Sequence, residues 1–197
     1  MKAGKILAAA AAVALAVPGA MAQFNPLTIV GRAVSTTMDV RTKAEVKNDV
    51  EISASANKRL LDDKRAEWGG VTLLVFAQHV VLAGAVKSDE AKKIVEEVVR
   101  NDQRIRSLVN DLTIIRKAGD DGGIVKNKTI DTKIDAALTA AKGIGSVNMR
   151  WKTVNGNVVL MGVAQSNEEA QLAVSKIQGL EGVRSVKSRL RVVPKKK

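Results

Sequence analysis

The chain has 197 residues and a net charge of +12, with one His, two Trp, two Phe, no Tyr and no Cys. The missing cysteine excludes disulfides, thiolate metal sites, a cysteine nucleophile and a lipid attached through an N-terminal cysteine. A single histidine removes most of what is left of metal and acid–base chemistry. The charge is uneven: residues 39–117 carry 15 basic and 13 acidic side chains, whereas residues 124–197 carry 14 and 5. The C-terminal half is the one suited to an anionic partner.

Lys2 and Lys5 precede an apolar run from Ile6 to Val17, closed by Pro18-Gly19-Ala20-Met21-Ala22. A basic start, about a dozen apolar residues and a small-x-small ending are the pattern of an export signal. Residues 1–22 are therefore expected to be a signal peptide cut after Ala22. A membrane-spanning helix needs about 20 apolar residues, and no Arg-Arg precedes the run to suggest the twin-arginine route. The mature chain is expected to start near Gln23, outside the cytoplasm, and not to span a membrane. About 175 residues then remain, room for two domains of about 70–80 residues.

Residues 23–48 read as an extended lead-in that turns helical near Asp39, because Val34, Met38, Val40, Ala44 and Val46 share no helical face. A first domain is expected over 49–117. Its helix runs from about Asp49 to Asp63, with Ile52, Ala56 and Leu60 on one face, and Trp68-Gly69-Gly70 breaks it. Strands follow near Val71–Ala77 and Val80–Val86, then a helix from Ser88 to about Arg100 and a strand from Ser107 to Ile115. Residues 118–124 are a linker by composition; Asp120 and Asp121 read there as a solvated turn rather than a metal site. A second domain over 125–194 repeats the order. It has a helix Thr129–Ala141, the breaker Gly143-Ile144-Gly145, strands Val147–Val154 and Asn157–Ala164, a helix Ser166–Gln178 and a strand Arg184–Val193. Pro194 stops the last strand, and residues 195–197 are a basic tail.

The two domains are copies at a gapless offset of 78 residues. Val159, Leu160, Gly162, Ser166 and Glu168 fall on Val81, Leu82, Gly84, Ser88 and Glu90; Ile130, Ile134 and Leu138 fall on Ile52, Ala56 and Leu60. Matched glycine, cap and apolar positions mark a tandem duplication. In the second copy Asn155-Gly156 is the signal for a two-residue hairpin, and Ser166 with Glu169 forms a capping-box pattern. The first copy has Ala77-Gln78-His79 at the turn instead. Each copy reads αββαβ. The hairpin pairs the first two strands, and the right-handed crossover rule returns the third parallel to the second. The expected fold is α+β, two tandem domains, each with two helices on one face of a three-stranded mixed sheet and the other face open.

Strand alternation assigns Arg150, Lys152, Val159, Met161, Val163, Lys187, Arg189 and Arg191 to that open face in the second copy. It is an apolar strip flanked by five cations. The matching positions of the first copy are Thr72, Leu74, Val81, Ala83, Val109, Asp111 and Thr113, nearly neutral and apolar. Exposed strands also carry Lys and Arg simply to blunt edges, and for the apolar first face an interdomain contact or a cover by residues 24–48 is favoured over a binding groove. Lys126, Lys128 and Lys133 make a second cluster, of the wrong sign for a helix start and partly offset by Asp131 and Asp135.

The run Asn155, Gly156, Val158, Leu160, Gly162, Ala164, Ser166, Glu169, with the strand from Gly182-Val183 through Val192, resembles the BON domain. The resemblance covers nearly all of the mature chain, twice, and points to the osmotically inducible periplasmic protein family with two such domains. It implies a non-enzymatic periplasmic protein of the Gram-negative envelope, associated with phospholipid surfaces, outer-membrane integrity and stress tolerance, and in some members with chaperoning of outer-membrane proteins. It also implies that the first helix of the second domain meets the bilayer, here Lys126, Lys128, Thr129, Ile130 and Lys133, where no aromatic residue is available to insert.

No GxSxG elbow, HExxH helix, P-loop or GxGxxG is present, and His79 is expected in a turn with no obvious partner, so neither an enzyme nor a cofactor is expected. Nucleic acid is not an expected partner either: export removes it, stacking aromatics are scarce, and no GXXG clamp sits between paired helices. The leading expectation is adsorption to an anionic phospholipid or other anionic envelope surface, at about 1 kcal/mol for each Lys or Arg near it. The alternative is a periplasmic chaperone or interaction module whose open apolar strip takes a strand of an outer-membrane protein.

Overall fold

A computed structural model describes residues 39–194. The expected signal peptide, the lead-in up to residue 38 and the tail 195–197 lie outside the described residues.

Helix α1 spans Lys43–Asp62. Thr42 starts it with a full capping box: its hydroxyl accepts from the Glu45 N–H at 3.2 Å, and the Glu45 carboxylate accepts from the Thr42 N–H at 3.0 Å. The helix thus begins at Lys43, close to where the lead-in was expected to turn helical near Asp39, and runs on unbroken through the helix expected from about Asp49. Strands β1 (Val71–Phe76) and β2 (His79–Val86) form the antiparallel hairpin. Helix α2 (Asp89–Arg100) is capped by Ser88. The last strand of this copy comes in two pieces, β3 (Ser107–Asn110) and β4 (Thr113–Ile114), both parallel to β2. Asp111 sits at the break, its N–H still donating to Leu82 O at 2.9 Å.

In the second copy helix α3 spans Ile124–Ala140, so it starts well before the expected Thr129. Gly123 precedes it and offers no side-chain cap, which is why the start left no signal. A 3-10 turn (Ser146–Asn148) occupies the first residues expected to be strand and leads into β5 (Met149–Val154). Strand β6 (Asn157–Ala164) pairs antiparallel with β5; helix α4 (Asn167–Gln178) follows, and β7 (Ser185–Val192) lies parallel to β6. The αββαβ order and the mixed sheets are as expected. Half of the second capping box is not. Ser166 accepts from the Glu169 N–H, but the Glu169 carboxylate accepts from Gln165 N–H at 2.6 Å and Gly145 N–H at 2.7 Å.

The matched glycines of the repeat have a steric cause. Gly84 and Gly162 have φ of +113° and +131°, and a Cβ on either would stand 2.0 Å from a carbonyl oxygen, that of Gly70 or Asn148. Only glycine lets the first strand approach there.

Each copy buries its own core between helices and sheet. Ile52, Ala56, Leu60, Leu82, Val95 and Val99 centre the first; Ile134, Leu138, Met149, Leu160, Ala173 and Ile177 centre the second. A third core joins the copies. Leu74, Phe76, Ala77, Val81 and Ala83 pack against Met161 and Val163, with Val109 and Val159 at its margin. The expectation of an open sheet face therefore fails for both copies: each apolar strip is covered by the other. The interdomain contact favoured for the first face is what forms, and it includes the second face as well. Residues 39–41 seal one side of the seam. Val40 N–H donates to Asn148 Oδ1 at 3.0 Å, and Arg41 lies 4.4 Å over the Phe76 ring.

Candidate functional site

The ten residues singled out from the sequence fall in two places. Arg150, Lys152, Lys187, Arg189 and Arg191 lie on the face that packs on the first domain, where Lys187 and Arg189 stay exposed at its margin and Arg150 is half-buried. Arg189 grips both oxygens of Asp111 through the Nε–Nη2 edge of its guanidinium, Nε at 2.8 Å and Nη2 at 3.0 Å, and Lys187 Nζ stands 2.6 Å from the same carboxylate. Burial opposes the charge on Asp111, but the bonds from Arg189 and Lys187 outweigh it and hold the carboxyl below its usual range. Arg150 lies 5.4 Å over Phe76, on the seam, and donates to Val147 O and Met149 O at 2.8 Å. Lys152 and Arg191 are half-buried. The apolar strip between these cations is covered by the other domain, so a strand of a client protein would meet that domain instead.

The second place is the start of α3, and it is at the surface. Lys126, Lys128 and Thr129 are exposed, with the Thr129 hydroxyl donating to Val125 O at 2.9 Å. Lys133 is half-buried and paired with Glu181 at 2.8 Å. Ile130 does not belong with them. It is buried in the second core, with Gly182 against it, because it falls on the inward Asn127–Ile130–Ile134–Leu138 stripe. The apolar residues that do face outward are Ile124, 49% exposed, and Val125, 79% exposed. Sequence reasoning missed both by assigning Ile124 to the linker and starting the helix at Thr129. The readable signal was the Asn127-to-Leu138 stripe, which extends the helix back and leaves Val125, Lys126 and Lys128 off its buried side.

The first turn of α3 contains no acidic residue and no side-chain cap. Its free N–H groups, the positive end of the helix dipole and two exposed lysines thus share one end of the domain. Around it stand the β5–β6 turn, which Asp121 ties down by accepting the Asn155 N–H at 3.0 Å, and exposed Arg184, packed against Gly156. Asp131, expected to offset the lysines, turns inward. It accepts the Thr153 hydroxyl at 2.6 Å, and burial pushes its carboxyl up to about 6.

His79 Nδ1 lies 2.6 Å from Ser107 Oγ; burial, then Arg191 and Arg106, lower its pKa. Among the described residues no group of three or more His, Asp or Glu side chains could hold a metal ion, and no helix is long and apolar enough to cross a membrane.

A family model described as the BON domain matches residues 48–116 and again residues 126–194. An uncharacterized protein in the gshII 5' region of Anaplasma centrale is 28% identical over 145 residues, covering 74% of this chain and 95% of that protein. Osmotically-inducible protein Y of Escherichia coli (strain K12) is 27% identical over 148 residues, 73% of this chain and 72% of that one. Among solved structures, the C-terminal domain of CdsD, a structural protein of the type III secretion system of Chlamydia trachomatis, aligns with a TM-score of 0.31 and 17% identity, over 74% of this chain and 67% of that one.

Proposed function

The chain belongs to the BON domain family, and from that premise we propose that it is a non-enzymatic periplasmic protein of osmotic stress that docks on anionic phospholipid through the first turn of α3. The name of its E. coli relative supports the osmotic setting, and the export pattern of residues 1–22 supports the compartment. The observation that carries the docking is the exposed Ile124-Val125 pair beside Lys126 and Lys128, at a helix start with no acid of its own. Apolar side chains enter the acyl boundary while the lysines and free N–H groups meet phosphate. With Arg184 that gives three exposed cations, each worth about 1 kcal/mol near an anionic surface, hence reversible and salt-sensitive adsorption. Support of outer-membrane integrity would follow from residence on that surface. The chaperone alternative rested on an open apolar sheet face, which the packing of the two domains fills.

Liposome sedimentation tests this. Binding is expected to vesicles containing phosphatidylglycerol and to weaken sharply at high salt. Lys126→Glu with Lys128→Glu should abolish it, and Val125→Ser should weaken it at both salt levels. Equal binding to neutral phosphatidylcholine vesicles, or full binding by the double charge reversal, would refute the site.

A further inference from the structure

The packing of the two sheets has the symmetry of a dimer. β1 lies against β5, β1 meets β6 and β2 meets β5, a set left unchanged when the copies are exchanged. In such an isologous contact, a residue near the axis faces its own counterpart. Asp111 and Arg189, one period of 78 residues apart, do this, with bonds of 2.8 and 3.0 Å.

The apolar part of the interface does not choose between partners. The first face contributes Leu74, Phe76, Ala77, Val81 and Ala83 and the second Met161 and Val163, with Val109 and Val159 at the margin. Apolar burial is non-directional, so it does not by itself bar two like faces from stacking. Charge separates the cases. Two first-domain faces would bring Asp111 against Asp111. Two second-domain faces would bring Arg189 and Lys187 against themselves. The Asp111 side chain is only 3% exposed, so water and salt would screen repulsion between two copies of it poorly, whereas Lys187 and Arg189, at 57% and 37%, would be screened more. Specificity of this kind comes from what is rejected as much as from what is bound.

We infer that Asp111, with Arg189 and Lys187, is a pairing code: a first-domain face accepts only a second-domain face, from its own chain or from another copy, and rejects its like. The short connection from Ile115 to Gly123 keeps the two faces at high effective concentration, so the code closes the chain on itself. Without it, a tandem of self-complementary faces could link chain to chain without end.

Charge reversal in the full chain tests the code. Asp111→Arg makes both faces cationic; Lys187→Asp with Arg189→Asp makes both acidic. Each variant alone should remain monomeric but open, with a larger radius of gyration by small-angle scattering and a lower melting point. Mixed in equal amounts, the two are complementary in both directions. They should form a domain-exchanged heterodimer of twice the chain mass that regains the native melting point. A single chain carrying all three substitutions should close again as a monomer. The inference fails if either variant keeps the native radius and melting point, or forms homodimers alone. It also fails if the triple variant stays open, or if the mixture never exceeds the mass of one chain.

Discussion

The two hairpins reach the same backbone by different means. In the second copy Asn155 and Gly156 have φ of 48° and 75°, a region both residue types tolerate. Its outside support comes through the Asn155 N–H, shared between Asn127 Oδ1 at 2.9 Å and Asp121 O at 3.0 Å. In the first copy Ala77 and Gln78 have φ of 51° and 65°, where a Cβ costs about 1–2 kcal/mol per residue. Asp49, the counterpart of Asn127, offsets this. Its carboxylate accepts the Ala77 N–H at 2.8 Å and the Gln78 N–H at 2.6 Å, and Arg41 Nη1 donates to it at 2.9 Å. A turn written in two adjacent residues in one copy is spread over residues 41, 49 and 77–78 in the other. Unfavourable local chemistry survives where a buried, ion-paired acceptor from another element holds it.

The largest effect that can break this comparison comes from Asp49. Asp49→Ala strands the Arg41 guanidinium and two N–H groups, at a cost of about 3–5 kcal/mol. Asn127→Ala removes a neutral acceptor and should cost about 1–2 kcal/mol. Urea unfolding of both variants measures the difference, and equal losses would mean that the turns do not differ in what supports them. Placing Asn and Gly at 77 and 78 in the Asp49→Ala background should restore about 1–2 kcal/mol, the part due to the turn itself.

Ser53 and Asp131 sharpen the contrast in the helices. Ser53 satisfies itself by donating to Asp49 O at 2.8 Å, whereas Asp131 places a carboxyl against Thr153 with its pKa raised by burial to about 6. An unfolded aspartate titrates near 3.9. Below that pH both states are protonated and burial costs nothing. As pH rises through about 6 the folded state must hold a charge, and stability is lost. Asp131→Asn keeps an acceptor for Thr153 and should stabilise the protein by about 1–2 kcal/mol at pH 7.5, with the gain vanishing near pH 4. Asp102 acts in the opposite sense: the hydrogen bonds from Arg104 hold it well below the usual range, so its contribution is lost as pH falls. The readout is therefore the difference between variant and parent, not the parent profile.

Much of the fold was legible because it is written locally and twice. The period of 78, the Asn155-Gly156 turn, the Ser88 and Ser166 caps and the glycines at 84 and 162 each act over a few residues. The start of α1 was also legible, in Thr42 and Glu45, although the residues between that cap and Asp49 present no apolar face. The site was less legible. Alternation shows that Val159, Met161, Lys187 and Arg189 share a face; it does not show what covers that face. The answer lay in Asp111, which looks like a minor acid on a neutral strip until its counterpart is seen to be Arg189. The outward Ile124 and Val125 were hidden because Gly123 gives a helix start no side-chain signature.

The smallest contrast concerns one N–H group in each copy, that of the residue before the helix cap. In the first copy Lys87 N–H donates to Glu67 at 3.1 Å, from the loop before β1. In the second, the equivalent Gln165 N–H donates to Glu169, inside α4, at 2.6 Å. The position equivalent to Glu67 is Gly145 and that equivalent to Glu169 is Ala91, so the acceptor has changed sides of the same gap. The two acceptors are not equal. Glu169 also takes the Gly145 N–H at 2.7 Å and thereby pins the breaker loop to the helix, while Glu67 makes its bond at the solvent edge. Glu169→Ala should cost about 1–3 kcal/mol, two charge-assisted bonds being lost, and should speed amide exchange at Gly145 as well as at Gln165. Glu67→Ala should cost no more than about 0.5 kcal/mol and change exchange at Lys87 alone. If instead the two losses match, the second bond to Gly145 adds nothing, and the copies are equivalent at this point despite the exchanged residues.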